Sequence, residues 1–317
     1  MSELTDKIRE TALDLLKKQG VDLIIGFADG TLPMRSSPWF ARQESEVERL
    51  TWNSFCENNL AQYLPKRKGK FGIVAKGCDV RAVVELIKEN QIFREQVVII
   101  GLPCSGMIDR KQVETKFEGK EITEVAEKNG SLVIKGDDFE ESLNTADYLY
   151  ACCRACTLKN PTVYDVLIGN PVEETSSDPF TDVEQFEALP PAERWAHLTA
   201  EFSKCIRCYA CRNACPLCYC KECFVDCSQP QWIGKTTEAS DTAIFHIMRA
   251  FHLAGRCLEC GACERACPVV VDIRKLNRKL VKDVKNLFDY QAGLNLEELA
   301  PLATYKPDDP EQFILNP

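Results

Sequence analysis

Cys205-Ile206-Arg207-Cys208-Tyr209-Ala210-Cys211-Arg212-Asn213-Ala214-Cys215-Pro216 and Cys257-Leu258-Glu259-Cys260-Gly261-Ala262-Cys263-Glu264-Arg265-Ala266-Cys267-Pro268 are two copies of one pattern, Cys-x2-Cys-x2-Cys-x3-Cys-Pro. Three thiolates at this spacing hold one iron-sulfur cube, and the x3 interval ahead of a proline carries the fourth thiolate toward a neighbouring cube. Structural zinc sites favour paired Cys-x2-Cys knuckles instead. Two 4Fe-4S clusters with exchanged fourth ligands are therefore expected. The first should use Cys205, Cys208, Cys211 and Cys267, and the second Cys257, Cys260, Cys263 and Cys215.

Each copy has the form of a bacterial ferredoxin run, so residues 192–285 are read as a helical, ferredoxin-like domain with two 4Fe-4S clusters. The segment AERWAHLTAEFSK leads into it as a helix. The connection between the runs opens with LCYCKECFVDC, in which Cys218, Cys220, Cys223 and Cys227 are spaced as neither a ferredoxin run nor a zinc knuckle. A fourth cluster, a zinc ion and unligated thiols beside the existing clusters stay open as readings of it. A helix is expected over 240–256, with His246 and His252 on it as packing or surface residues.

The chain of 317 residues is long enough for two domains, and its 48 acidic against 39 basic side chains leave a net charge of -9. That balance argues against a nucleic-acid surface, which needs a concentrated basic stripe. The N-terminal segment MSELTDKIRETALDLLKKQG is a charged amphipathic helix without the apolar run of a signal peptide. No stretch reaches the roughly 18 apolar residues of a membrane span. Eighteen cysteines in such a chain point to a reducing compartment and metal binding. A cytoplasmic protein is expected.

Residues 1–170 read as an α/β domain, a mostly parallel sheet with flanking helices. A helix over 4–19 precedes the strand VDLIIGF, and a further helix is expected over 53–64, with Cys56 as a buried thiol. Trp39, Phe40 and Trp52 read as core or rim packing, with an aromatic wall for a planar cofactor as the other reading. GKFGIVAKGCDV, RAVVELIKENQ and REQVVIIGLPCSG then give strand, crossover helix and strand, with β-branched runs suited to strands buried on both faces. Ligands of open α/β sheets sit beyond the carboxyl ends of such strands, where Cys78 and Cys104 fall. A small β excursion is expected within 111–149. YACCRACTLKNPTVYDVLIGN adds Cys153 and Cys156, which complete a four-thiolate set with Cys78 and Cys104. Residues 171–191, acidic and punctuated by Pro and Ser, read as a linker, and 286–317 as an extended C-terminal arm.

Three segments of this half occur in a recognisable order: Lys76-Gly77-Cys78-Asp79-Val80-Arg81-Ala82, Ile100-Gly101-Leu102-Pro103-Cys104-Ser105-Gly106, and Cys153-x2-Cys156 through Asp165-Val166-Leu167-Ile168-Gly169. From about 69 to 170 the chain resembles the beta subunits of deazaflavin-coenzyme (F420) hydrogenases and dehydrogenases, an iron-sulfur flavoprotein family. The resemblance implies that Cys78, Cys104, Cys153 and Cys156 hold a third 4Fe-4S cluster beside a flavin, FAD, near Lys76, Gly77, Arg81, Gly169 and Asn170. Lys76 and Arg81 flank Cys78 and are open to two readings, as partners of a thiolate or flavin phosphate and as solvated surface charges. The chain departs from the family pattern in having no glycine before Gly20, where the family carries a Gly-Gly segment suited to phosphate, and in placing Leu158 where an acidic residue recurs.

No P-loop, Gly-x-Ser-x-Gly or His-Glu-x2-His motif offers other chemistry, and no catalytic residue is assigned. The expected function is an electron-transfer subunit of a cytoplasmic oxidoreductase complex with three or four 4Fe-4S clusters. Its partner would be a hydrogenase, a formate dehydrogenase or a heterodisulfide-reductase-like subunit. The alternative is a self-contained flavin-dependent oxidoreductase that oxidises reduced deazaflavin or NAD(P)H, and a scaffold with purely structural clusters is a third reading.

Overall fold

The structure is a computed structural model that describes residues 3–65, 67–128, 130–174 and 180–301. The linker positions 175–179 and the arm beyond 301 lie outside the described residues. Two compact units emerge, and they do not follow chain order. The first comprises Met1–Leu60, Lys66–Val80 and Phe93–Ser176, the second Ala61–Pro65, Arg81–Ile92 and Ser177–Pro317. The expected boundary at 170 misses the two short segments that the second unit draws from the first half.

In the first unit, helix α1 (Glu3–Lys17) buries Thr5, Ile8 and Ala12, one stripe at helical spacing. Strands β1 (Leu23–Asp29), β2 (Ser36–Ala41), β3 (Phe71–Lys76), β4 (Val97–Leu102) and β8 (Val166–Leu167) form one sheet in the order β2-β1-β3-β4-β8. The strands β1, β3, β4 and β8 run parallel, and every residue of β3 is buried. Their continuous apolar character follows from cover on both faces. The antiparallel edge strand β2 carries Pro38 opposite Phe27, and an edge is where a strand tolerates a residue without an N–H.

The register of β3 and β4 positions the chemistry. Lys76 lies opposite Leu102, so Gly77-Cys78 and Pro103-Cys104 leave the sheet side by side. Helix α2 (Gly77–Lys88) continues from the first turn. The excursion is a three-stranded antiparallel sheet of β5 (Glu124–Lys128), β6 (Ser131–Lys135) and β7 (Glu140–Asn144). Its Leu132, Ile134 and Leu143 pack with Val113 and Phe117 of helix α3 (Arg110–Lys116). The helix expected over 53–64 is reduced to a short 3-10 turn, Leu60–Tyr63, because Asn53 bonds the backbone N–H of Phe55 and begins a turn instead. Cys56 is fully buried, and desolvation pushes its thiol up to about 12.

The second unit is helical: α5 (Thr181–Glu187), α6 (Pro191–Ser203), α7 (Ala210–Asn213), α8 (Ala239–His252), α9 (Ala262–Arg265) and α10 (Arg274–Phe288), with α4 (Ala151–Arg154) belonging to the first unit. The linker reading fails over 181–187. Phe180 and Val183 pack on Val281 of α10, while Asp182 and Glu187 pair with Arg274, Arg278, Lys279 and Lys282, so the acidic segment folds against a basic helix. Residues 81–89 of α2 anchor the same unit. Arg81 donates to the carbonyls of Leu258 and Ala292, Glu85 accepts from Tyr290 and Gly293, and Glu89 bonds Tyr219 and Arg256. The start of the expected C-terminal arm is thereby held, with Tyr290 and Ala292 buried.

Candidate metal centres

The two cysteine runs have the same backbone. Arg207 and Tyr209 lie in the left-handed region, at φ of 55° and 59°, and Glu259 and Gly261 repeat this at 56° and 69°. One-turn helices α7 and α9 follow each pair. A left-handed conformation costs a residue with a Cβ roughly 1–2 kcal/mol, so the three non-glycine positions need support. Arg207 is tied to the carbonyls of Asp241 and Gly234 at 2.8 and 3.1 Å, and Glu259 to Arg278 at 2.8 Å. Folding each turn back on itself brings successive cysteines to one side.

Two cavities result, each with four cysteines in its wall. Cys205, Cys208, Cys211 and Cys267 line the first, and Cys215, Cys257, Cys260 and Cys263 the second. Each wall thus takes three cysteines from one run and the last cysteine of the other. Backbone donors point at sulfur: Arg207 N–H to Cys205 at 3.4 Å and Val271 N–H to Cys267 at 3.3 Å. The Asn277 side-chain amide lies 3.9 Å from the sulfur of Cys263. Burial pushes the Cys211 and Cys263 thiols up to about 11 and raises Cys257 well above the usual range. Such thiols ionise only against positive charge, which is what iron ions supply. Among the described residues no three His, Cys, Asp or Glu side chains are arranged to hold a single metal ion. His246 is buried and stacked on Phe202 at 5.1 Å, a packing role, with both ring nitrogens free of protein partners.

In the first unit Cys104 is half-buried, and desolvation raises its thiol against the opposing pull of Lys76; Cys156 also stands close enough to raise it. Cys153 accepts from the Met107 N–H at 3.4 Å, and Cys156 bonds the Leu158 carbonyl at 3.4 Å. A Cβ on Gly77 would stand 2.8 Å from the Leu158 carbonyl and 3.1 Å from that of Asn160. Glycine at 77 therefore lets the segment after Cys156 lie directly on the turn that carries Cys78.

The residues expected around a flavin divide. Lys76 is 2% exposed and donates to the Asn58 carbonyl at 2.6 Å and to Asp79 at 2.9 Å. Arg81 is 4% exposed and donates from Nε to the Ala292 carbonyl and from Nη1 to that of Leu258, while its Nη2 is buried without a hydrogen-bond partner. Both charges are committed inside the protein, so neither the phosphate-binding nor the solvated-surface reading describes them. Gly169 and Asn170 do face open space, in a cleft of about 500 Å³ that Leu4, Lys7 and Thr11 of α1 also line. A larger cleft of about 750 Å³ beyond the carboxyl end of β1, with Arg9, Asp29, Trp52 and Asn53, escaped the sequence reading because no motif marks it.

Residues 68–218 match the family that comprises the C terminus of the coenzyme F420 hydrogenase/dehydrogenase beta subunit. Over that stretch, just under half of the chain, the protein is similar to coenzyme F420 hydrogenase/dehydrogenase beta subunits. It is 25% identical, over 91% of both chains, to the F420-dependent formate dehydrogenase subunit beta of Methanocaldococcus jannaschii. It is 22% identical, over 89% of both, to the F420-dependent formate dehydrogenase 1 subunit beta of Methanococcus maripaludis. A chain of the F420-reducing NiFe hydrogenase complex from Methanosarcina barkeri superimposes with a TM-score of 0.39 at 16% identity, over 50% of this chain and 62% of that one.

In this beta-like protein the four cysteines of LCYCKECFVDC have different surroundings. Cys218 lies against Cys215, whose hydrogen bond lowers its thiol, and close to Cys263 and Arg249. Cys223 packs in the core cluster of Cys211, Phe245 and Ile273, and Cys220 is exposed. Cys227 bonds the Cys223 carbonyl at 3.6 Å. Cys218 therefore neighbours two cysteines of the second cavity's wall, Cys215 and Cys263.

The buried Lys76–Asp79 pair yields a stability prediction for this beta-like protein. Lys76→Met leaves the fully buried Asp79 carboxylate without its cation. A loss of about 3–5 kcal/mol is expected, as for other broken buried pairs, with recovery of more than half in Lys76→Met/Asp79→Leu. Guanidinium unfolding midpoints measure it, and a loss under about 1 kcal/mol in the single variant would remove the pair from the account of stability.

Proposed function

We propose that this chain is the electron-transferring beta-type subunit of a cytoplasmic F420-linked oxidoreductase complex, with 4Fe-4S clusters in the two four-cysteine cavities and a third on Cys78, Cys104, Cys153 and Cys156. Its partner is a hydrogenase, formate dehydrogenase or heterodisulfide-reductase-like subunit, and formate and F420 enter from the names of the relatives. The observation that carries the reading is the exchange of the fourth cysteine between the two cavity walls. Clusters bound there supply one-electron sites. The chain's own residues hold the thiolates, direct backbone N–H groups at Cys205 and Cys267, and exclude water from Cys211. Cys208 is exposed, and Ile206 beside it is 54% exposed, which puts the first site at the surface where a redox partner docks. Among the described residues no helix is long and apolar enough to cross a membrane.

Anaerobic purification with iron, sulfide and flavin analysis tests the proposal. About twelve irons per chain are expected from three clusters, with a redox partner protein co-purifying. Fewer than about four irons per chain after anaerobic reconstitution would overturn it. A second reading, in which the chain itself takes hydride through FAD, is favoured by the cleft at Gly169 and Asn170, at the carboxyl end of β8. Stoichiometric FAD in the purified chain selects it over a pure relay.

A further inference from the structure

Helix α8 contributes to both four-cysteine cavities, with Phe245 and His246 in the wall of the first and Arg249 in that of the second. Its guanidinium lines the second cavity with Cys215, Cys257, Cys260 and Cys263. Its Nη2 donates at 3.0 Å to the carbonyl of Cys211, a wall residue of the first. Arg249 is 5% exposed, and its Nε–H has no hydrogen-bond partner in the protein.

The other arginines of the second cavity are neutralised differently. Arg278 pairs with Asp182 and Glu259, and Arg274 with Asp182 and Glu264. Arg249 has no carboxylate, only the Cys211 carbonyl and the Cys218 thiol. A buried guanidinium without a carboxylate is strongly unfavourable unless another anion faces it. Burial works against the charge of this guanidinium, and the groups that face it and offset that cost are the sulfurs of Cys211, Cys215, Cys218 and Cys263. A 4Fe-4S cube with four thiolates carries a net charge of about -2 oxidised and about -3 reduced, so it is the anion the site lacks.

We propose that Arg249 is the shared counter-ion of both clusters, its unpartnered Nε–H directed at sulfur in the second cavity and its charge stabilising the reduced form of each. The inference rests on the proposed assignment of the cysteines to clusters. One electron added to either cube raises its negative charge by one, and a fixed cation in a low-dielectric interior favours that state. Arg249 therefore raises both reduction potentials and brings them under one residue's control, which suits two adjacent members of a relay. It touches no substrate and acts as a positioning residue for charge.

The test is spectroscopic titration of the full chain, reconstituted anaerobically, as wild type, Arg249→Met and Arg249→Lys. With iron content unchanged, the Met variant is expected to lower the reduction equilibrium constant of both C-terminal clusters at least tenfold, about 59 mV for a one-electron couple. The Lys variant, which keeps the charge, should retain most of the wild-type potential at each. Unmoved potentials in Arg249→Met at full iron content would overturn the proposal, and so would a shift at one cluster alone. Should the Met variant fail to hold iron, protein labelled with 15N-arginine decides. A nitrogen coupling to the reduced second cluster that Arg249→Lys abolishes supports the role, and no such coupling refutes it. Wild-type protein without iron would sink the cluster assignment itself, whereas full iron with unmoved potentials would sink only the part given to Arg249.

Discussion

Cys215→Ser is expected to strip about four irons from the chain, and to take them from the cluster of the other run. Cys215 closes the wall formed by Cys257, Cys260 and Cys263, although in sequence it belongs to the run that begins at Cys205. The assignment is readable from double variants. Cys215→Ser combined with Cys260→Ser should lose no more iron than Cys260→Ser alone, because both act on one cube. Combined with Cys208→Ser it should lose about eight irons, because two cubes are then damaged. The opposite pattern would mean that each run closes on itself.

The second large effect is expected in the first unit. Cys104→Ser should remove about four irons while leaving the two C-terminal clusters and their spectra intact. Cys104 leaves β4 beside the turn that carries Cys78, and Cys156 stands close to it. Cys56 supplies the control. It lies in the same unit and is fully buried, but it bonds Asn53, and Cys56→Ser should leave the iron content unchanged. Iron per chain after anaerobic reconstitution measures both. Equal iron in Cys104→Ser and wild type would reduce the four cysteines of this unit to structural thiols.

The grouping of the cysteines was the most legible part of the sequence. The spacing of Cys205 to Cys215 and of Cys257 to Cys267 is a local property, since a turn with left-handed residues at fixed places can present three sulfurs to one side whatever surrounds it. The parallel sheet was legible for a similar reason, as buried strands must be continuously apolar. The segment 171–191 was not. Its acidity looked like solvation, and only the basic face of α10, some 90 residues away, makes Asp182 and Glu187 into ion pairs.

The fate of individual charges was the least legible. Lys76 and Arg81 stand two and three residues from Cys78, and nothing local separates a charge that meets a ligand from one that meets a carbonyl. Arg81 finds its partner at Ala292, 211 residues away. By itself, the sequence determined which thiols are spaced to share a centre and which strand ends carry them, because those relations are set by a few consecutive backbone angles. Only the tertiary structure decided that Arg81 meets the carbonyls of Leu258 and Ala292, that Asp182 and Glu187 pair with α10, and that Arg249 stands in the wall of the second cavity within reach of the Cys211 carbonyl. These are contacts between segments whose distance along the chain says nothing of their distance in space, and in a low-dielectric interior the position of one cation outweighs the composition around it.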